Sequence, residues 1–156
     1  MLKYTTCEVT FAEVPDEINL CINISNCPNN CKGCHSTYLK EDIGTELTTD
    51  ILQSLIEQNK GISCVVFLGG DSDPAYINDL ACWIRVNHPK LKIAWYSGKP
   101  YISSDIRLIN FDYIKYGPYQ EEQGPLTSKT TNQKMIHIEH FSDTLSLNII
   151  TSKFWK

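Results

Sequence analysis

Three cysteines, Cys27, Cys31 and Cys34, stand at C-x3-C-x2-C spacing in a stretch rich in Asn, Pro and Gly. Thiolates this close together can converge on one metal centre. Iron–sulfur clusters normally take four cysteines, so three leave one iron without a protein ligand. An open coordination position is where a metal site binds substrate. A tetrahedral zinc site that adds His35 is the competing reading, and it needs two adjacent side chains, Cys34 and His35, to reach one ion. Three unconnected buried thiols fit poorly with so polar a segment, and His35 can equally serve in packing. The other cysteines, Cys7, Cys21, Cys64 and Cys82, fall in strand or helix patterns and read as small, inert core residues. A second group is Gly69-Gly70-Asp71, directly after the apolar run Cys64-Val65-Val66-Phe67-Leu68. Paired glycines let backbone approach a ligand closely. Asp71 after them reads, on its own, as a turn-forming residue.

Both groups need elements to hold them. Residues 18–25 place Ile18, Leu20, Ile22 and Ile24 at period two, as in a half-buried strand, and the cysteine stretch follows as a loop. Thr48-Thr49-Asp50 reads as a helix start, with Ile51, Leu52, Leu55 and Ile56 at helical spacing and Gly61 at the end. The run at 64–68 suits a strand buried on both faces. Asp73 and Pro74 cap and open a second helix, whose stripe is Ile77, Leu80, Ala81 and Ile84. Residues 91–96 read as a strand, 103–109 as a short helix and 112–116 as a strand. A polar loop runs to Lys134, and residues 135–138 and 145–150 supply two more strands. Strand, helix, strand, helix, strand predicts an α/β fold with a mostly parallel sheet. Sites in such sheets form at the carboxyl ends of the strands, where both loops lie.

The chain has 156 residues, room for one domain over 1–156, with no internal repeat. Fourteen Lys and Arg against eighteen Asp and Glu give a net charge of −4, which argues against nucleic-acid binding through bulk charge. No stretch nears the roughly 18 apolar residues of a membrane span, and the N-terminus has no signal-peptide core. The expectation is a cytoplasmic protein. In a reducing compartment its seven cysteines point to metal or redox chemistry, not disulfides.

The cysteine spacing after a first core strand resembles the signature of the radical S-adenosylmethionine (SAM) superfamily. That resemblance implies a 4Fe-4S cluster held by Cys27, Cys31 and Cys34, with SAM chelated at the open iron. One electron from the reduced cluster then releases methionine and a 5′-deoxyadenosyl radical. It also implies that Gly69, Gly70 and Asp71 position SAM, with Asp71 on its amino group. The order of Cys31-Lys32-Gly33-Cys34-His35, Gly69-Gly70-Asp71, Trp95-Tyr96-Ser97-Gly98, residues 112–119 and Thr130-Thr131-Asn132-Gln133-Lys134 is similar, over nearly the whole chain, to the activating proteins of anaerobic (class III) ribonucleotide reductase. Ser97 and Asn132 enter as further SAM contacts, or as loop hydrogen bonders.

The partners so implied are the reductase large subunit, which would receive a glycyl radical, and a one-electron donor such as flavodoxin. The implied fold is an incomplete (β/α) barrel of the radical SAM type, since a full barrel takes about 250 residues; the side left open would admit a protein glycine. Three departures from the family pattern stand out. Glu13-Val14-Pro15-Asp16-Glu17 replaces a Gly-rich stretch, Tyr116-Gly117 replaces Asp-Gly, and Ser72-Asp73 is inserted before Pro74. The remaining alternatives are a radical SAM enzyme acting on another protein, and a non-enzymatic module with zinc or an electron-transfer cluster.

Overall fold

A computed structural model describes residues 1–29, 31, 33 and 37–155. Its framework is one eight-stranded sheet, formed by β1 (Lys3–Thr10), β2 (Asn19–Ile24), β3 (Thr45–Glu46), β4 (Cys64–Leu68), β5 (Lys92–Tyr96), β6 (Tyr113–Tyr116), β7 (Lys134–His140) and β8 (Leu145–Ile149), in the order β3-β1-β2-β4-β5-β6-β7-β8. Only β2–β4, β4–β5 and β5–β6 pair in parallel. The flanking pairs β1–β3, β1–β2, β6–β7 and β7–β8 are antiparallel. The expected mostly parallel sheet is therefore corrected to a mixed one. A parallel centre of four strands is fenced on both sides by antiparallel strands, and the sheet ends at β3 and β8 without closing.

The two helices form where their caps specify. In α1 (Thr49–Gln58) the Thr48 side chain accepts from the Ile51 N–H, and in α2 (Pro74–Asn87) Asp73 accepts from the Tyr76 N–H with Pro74 in the first turn. Both pack on one face of the sheet. Leu52, Ile56, Ile77, Leu80, Ala81 and Ile84 meet Leu20, Ile22, Ile24, Val65, Phe67, Ile93, Trp95 and Ile114. The intervening strand residues point to the other face, where Cys21, Cys64, Val66, Ala94, Tyr113 and Met135 form a second apolar layer. Among the described residues no α-helix covers this layer. Val14, Leu126 and Ile150, from irregular segments, and Phe154, from the 3-10 turn Thr151–Phe154, pack over it instead. The residues at 13–17 thus act as a strap. Val14 is fully buried, and Glu17 pairs with Lys92 at 2.8 Å and accepts from the Ser63 hydroxyl. At the end of the sheet remote from the cysteine loop, the Asp112 carboxylate ties α2 to β5 through Arg85 at 3.1 Å and the Ile93 N–H at 2.9 Å.

Burial on both faces also corrects the half-buried reading of 18–25, since Asn19, Leu20, Cys21 and Ile22 are all buried. The short helix expected at 103–109 is reduced to a 3-10 turn at Leu108–Asn110. Ser103 draws the Asp105 N–H into a local turn, and Asn78 of α2 takes the Arg107 N–H, so side chains satisfy the donors that a helix would use. Strands β1 and β3 are additions that the sequence reading did not contain. Cys82 lies on the exposed side of α2 and is not a core residue, whereas Cys21 and Cys64 are buried.

Those thiols carry a stability consequence. Burial pushes Cys21 up to about 12 and Cys7 up to about 11, and raises Cys64 as well. Below pH 9 both the folded and the unfolded chain keep these protons; above it the unfolded chain releases them first, so stability falls as pH climbs toward 11. Lys115, lowered to about 8 by desolvation, works in the opposite sense between pH 8 and 10.5, one group against three. Urea midpoints are therefore expected to drop between pH 9 and 10.5, and less steeply in Cys64→Ala than in the parent.

Candidate cluster site

The carboxyl ends of β2, β4, β5 and β6 lie at one edge of the sheet, and a loop leaves each. The cysteine loop is anchored where it begins. Asn26, with φ +60°, donates its N–H to Glu41 O, Cys27 N–H donates to Leu39 O, and the Ser25 hydroxyl donates to Ile43 O at 2.6 Å. Further along, Gly33 (φ +77°) packs under the side chains of Tyr119 and Glu121, so the loop after β6 braces it. The glycine loop is held by β5, with Gly69 N–H donating to Tyr96 O at 3.1 Å and the Trp95 indole donating to Gly69 O at 2.7 Å.

Asp71 joins these loops. Its Oδ1 accepts from the Ser97 hydroxyl at 2.6 Å, and its Oδ2 accepts from the Asn29 amide at 2.7 Å and the Gly98 N–H at 2.8 Å. The same Asn29 amide reaches Cys27 Sγ at 3.6 Å. One carboxylate therefore fastens the cysteine loop to the loops that follow β4 and β5. A carboxylate offers about four acceptor positions, so one remains for a donor from the cavity side.

The cavity these loops enclose measures about 290 Å³; Cys27, Cys31, Gly69, Asp71 and Ser97 line it, together with Lys115. Gly70 stands behind it, with a positive φ and a close approach to Ile77. Cys34 and His35 lie outside the described residues, and among the described residues no group of three His, Cys, Asp or Glu is placed to hold a metal ion. Cys27 and Cys31 face the same cavity, and that donor chemistry, thiolates from one short loop, fits an iron–sulfur cluster. Asn132 is elsewhere. It lines a neighbouring cavity of about 280 Å³ with Tyr116, Gly117 and Lys134, where its amide donates to Pro118 O. Its neighbour Gln133 is the one that reaches the cysteine cavity.

Sequence reading missed Asn29, Lys115, Tyr119 and Gln133. Asn29 stands between two of the cysteines, and that position was its only signal. Lys115 sits in a short strand between Ile114 and Tyr116 and resembles any solvent-facing lysine. It is instead half-buried against the cavity, and desolvation lowers it to about 8 against the pull of Asp71, Cys31, Glu13 and Cys27. Burial likewise raises the phenol of Tyr96, which donates to Glu13 O, and the carboxyl of Glu13.

Comparison with known proteins places residues 18–136 in the family described as the 4Fe-4S single cluster domain. That span runs from the edge of β2 into β7 and contains the cysteine loop, the glycine loop and the Asp71 junction. Neither a curated protein nor a solved structure matches the chain. No helix among the described residues is long and apolar enough to cross a membrane.

Proposed function

The chain belongs to the 4Fe-4S single cluster domain family, and on that premise we propose that it is a cytoplasmic radical SAM activase, a single domain over 1–156. Its target in this reading is a glycine of anaerobic ribonucleotide reductase, and a flavodoxin-like protein supplies the electron. The observation that carries the reading is the meeting of the cysteine loop after β2 with the glycine loop after β4 at one cavity, bound together through Asn29 and Asp71. When bound, the cluster would supply one electron to the SAM sulfonium, whose C–S bond would break to methionine and a 5′-deoxyadenosyl radical that takes a hydrogen atom from the target.

The chain's own residues bind and orient. Cys27, Cys31 and Cys34 are the thiolate ligands. Gly69 offers bare backbone against the cavity, the free acceptor position of Asp71 suits the SAM amino group, and Ser97 holds that carboxylate in place. Asn132 serves the loop after β6 in this scheme and not SAM directly. The open sheet and the irregular cover of its second face suit a macromolecular substrate better than a sealed small-molecule pocket would.

The test is anaerobic. Protein reconstituted with iron and sulfide, reduced and given SAM is expected to release 5′-deoxyadenosine. The Cys27/Cys31/Cys34→Ala variant is expected to retain no cluster and release none. Glycyl-radical EPR on added reductase then checks the target. Zinc near one per chain with no iron taken up would overturn the reading.

A further inference from the structure

Lys115 is a half-buried lysine on the cavity of Cys27 and Cys31; the Asp71 and Glu13 carboxylates act on it from a distance, but neither is its ion-pair partner. It extends from β6 toward the edge of the sheet where the cysteine loop lies. Its Nζ donates to Ser97 O at 3.2 Å and Gly117 O at 3.4 Å, both long bonds to neutral carbonyls. Among the described residues it forms no ion pair; the pairs found join Met1 to Asp73, Lys3 to Asp42, Arg85 and His140 to Asp112, and Lys92 to Glu17. Asp71, on the same cavity, already takes three donors. A largely desolvated ammonium held only by carbonyls gains from an anion brought beside it. Chain carbonyls lessen the cost of desolvation without balancing the charge.

An anion held in the cavity that Lys115 lines would sit beside this charge. Cys27 and Cys31 line it as well, and a thiolate-ligated iron–sulfur cluster is negative overall. Net charge and the polarity of the surroundings are among the levers a protein has on a cluster's reduction potential. Reduction adds one further negative charge, so a fixed cation beside the cluster favours the reduced state over the oxidised one.

We infer that Lys115 is the built-in counter-charge of the 4Fe-4S cluster, a positioning residue that raises the cluster's reduction potential. The role rests on ligation by the cysteine loop, as proposed above, and not on SAM. Electron bookkeeping is unchanged: the external donor loses one electron, the cluster gains it, and Lys115 keeps its proton throughout.

EPR-monitored potentiometric titration of the reconstituted protein, without SAM, tests this. Lys115→Gln keeps a donor for the carbonyls and removes the charge, Lys115→Met removes both, and Lys115→Arg keeps the charge. The Gln and Met variants are expected to be at least tenfold harder to reduce, a midpoint about 59 mV more negative for a one-electron couple, with Arg close to the parent. If Gln and Met lose the cluster altogether while Arg retains it, the charge is again what decides, and the inference stands. A Gln variant with the parent's iron content and potential would overturn it, as would loss of the cluster from all three. A parent chain that takes up no iron would overturn the ligation scheme itself, a result distinguishable because it appears before any variant is compared.

Discussion

Replacing Asp71 with alanine is expected to destabilise the protein by about 3 kcal/mol and to lower iron retention roughly 10- to 100-fold. The carboxylate accepts from Ser97, Asn29 and Gly98, and its loss strands three donors while releasing the cysteine loop from β4 and β5. Asp71→Asn is the sharper test. It preserves shape and an acceptor for Ser97, but it turns an amide toward the Asn29 amide and the Gly98 N–H, donor against donors. It should therefore fall much closer to alanine than to the parent in both urea unfolding of the metal-free chain and iron content after reconstitution. An asparagine variant indistinguishable from the parent would show that the junction is not what holds the loop.

Gly70→Ala is the second large effect, expected to cost about 2–5 kcal/mol from backbone strain and overpacking together. A Cβ at Gly70 would lie 2.6 Å from both Cγ1 and Cδ1 of Ile77, and φ is +100°. Ile77 is fully buried in the first turns of α2, so relief of the clash displaces the helix start and the Asp73 cap. Gly61 separates the two causes. Its φ is +94°, and nothing lies within 4 Å of where its Cβ would sit, so Gly61→Ala should report strain alone. Combining Gly70→Ala with Ile77→Ala should recover part of the summed loss, and the coupling in that double-mutant cycle measures the steric share. Urea unfolding of the four chains decides it; strict additivity would exclude the clash.

The helices were legible because their ends are chemical. Thr48 and Asp73 cap, Pro74 opens, and the stripe of Ile77, Leu80, Ala81 and Ile84 is the face found buried. Strands β4 and β5 were legible as apolar runs between turn signals. Strand direction was not. The βαβ pattern at the centre does specify parallel pairing, but nothing local to β1, β7 or β8 encodes which way each runs. Residues 3–10 also hid as a strand, because Thr5, Thr6 and Glu8 dilute the alternation that a half-covered strand normally shows. In the site, the sequence could single out Cys27, Cys31, Gly69 and Asp71 by residue type and by their place after strands, and these four do line one cavity. Lys115 and Asn29 were not legible, because their roles come from burial and from neighbours far away in sequence.

The loops that build the cavity leave strands ending at Ile24, Leu68, Tyr96 and Tyr116, each separated from the next by tens of residues. Nothing about the site is therefore local. Its assembly waits on every parallel pairing, and parallel pairings demand the closure of long crossovers before they return any stabilisation. A peptide carrying only the cysteine loop would bring thiols but neither the carboxylate that fastens them nor the lysine beside them. Cluster insertion thus acts as a report on completed folding: iron is retained where the whole parallel centre has formed, and a chain stalled at its antiparallel margins has no cradle to offer.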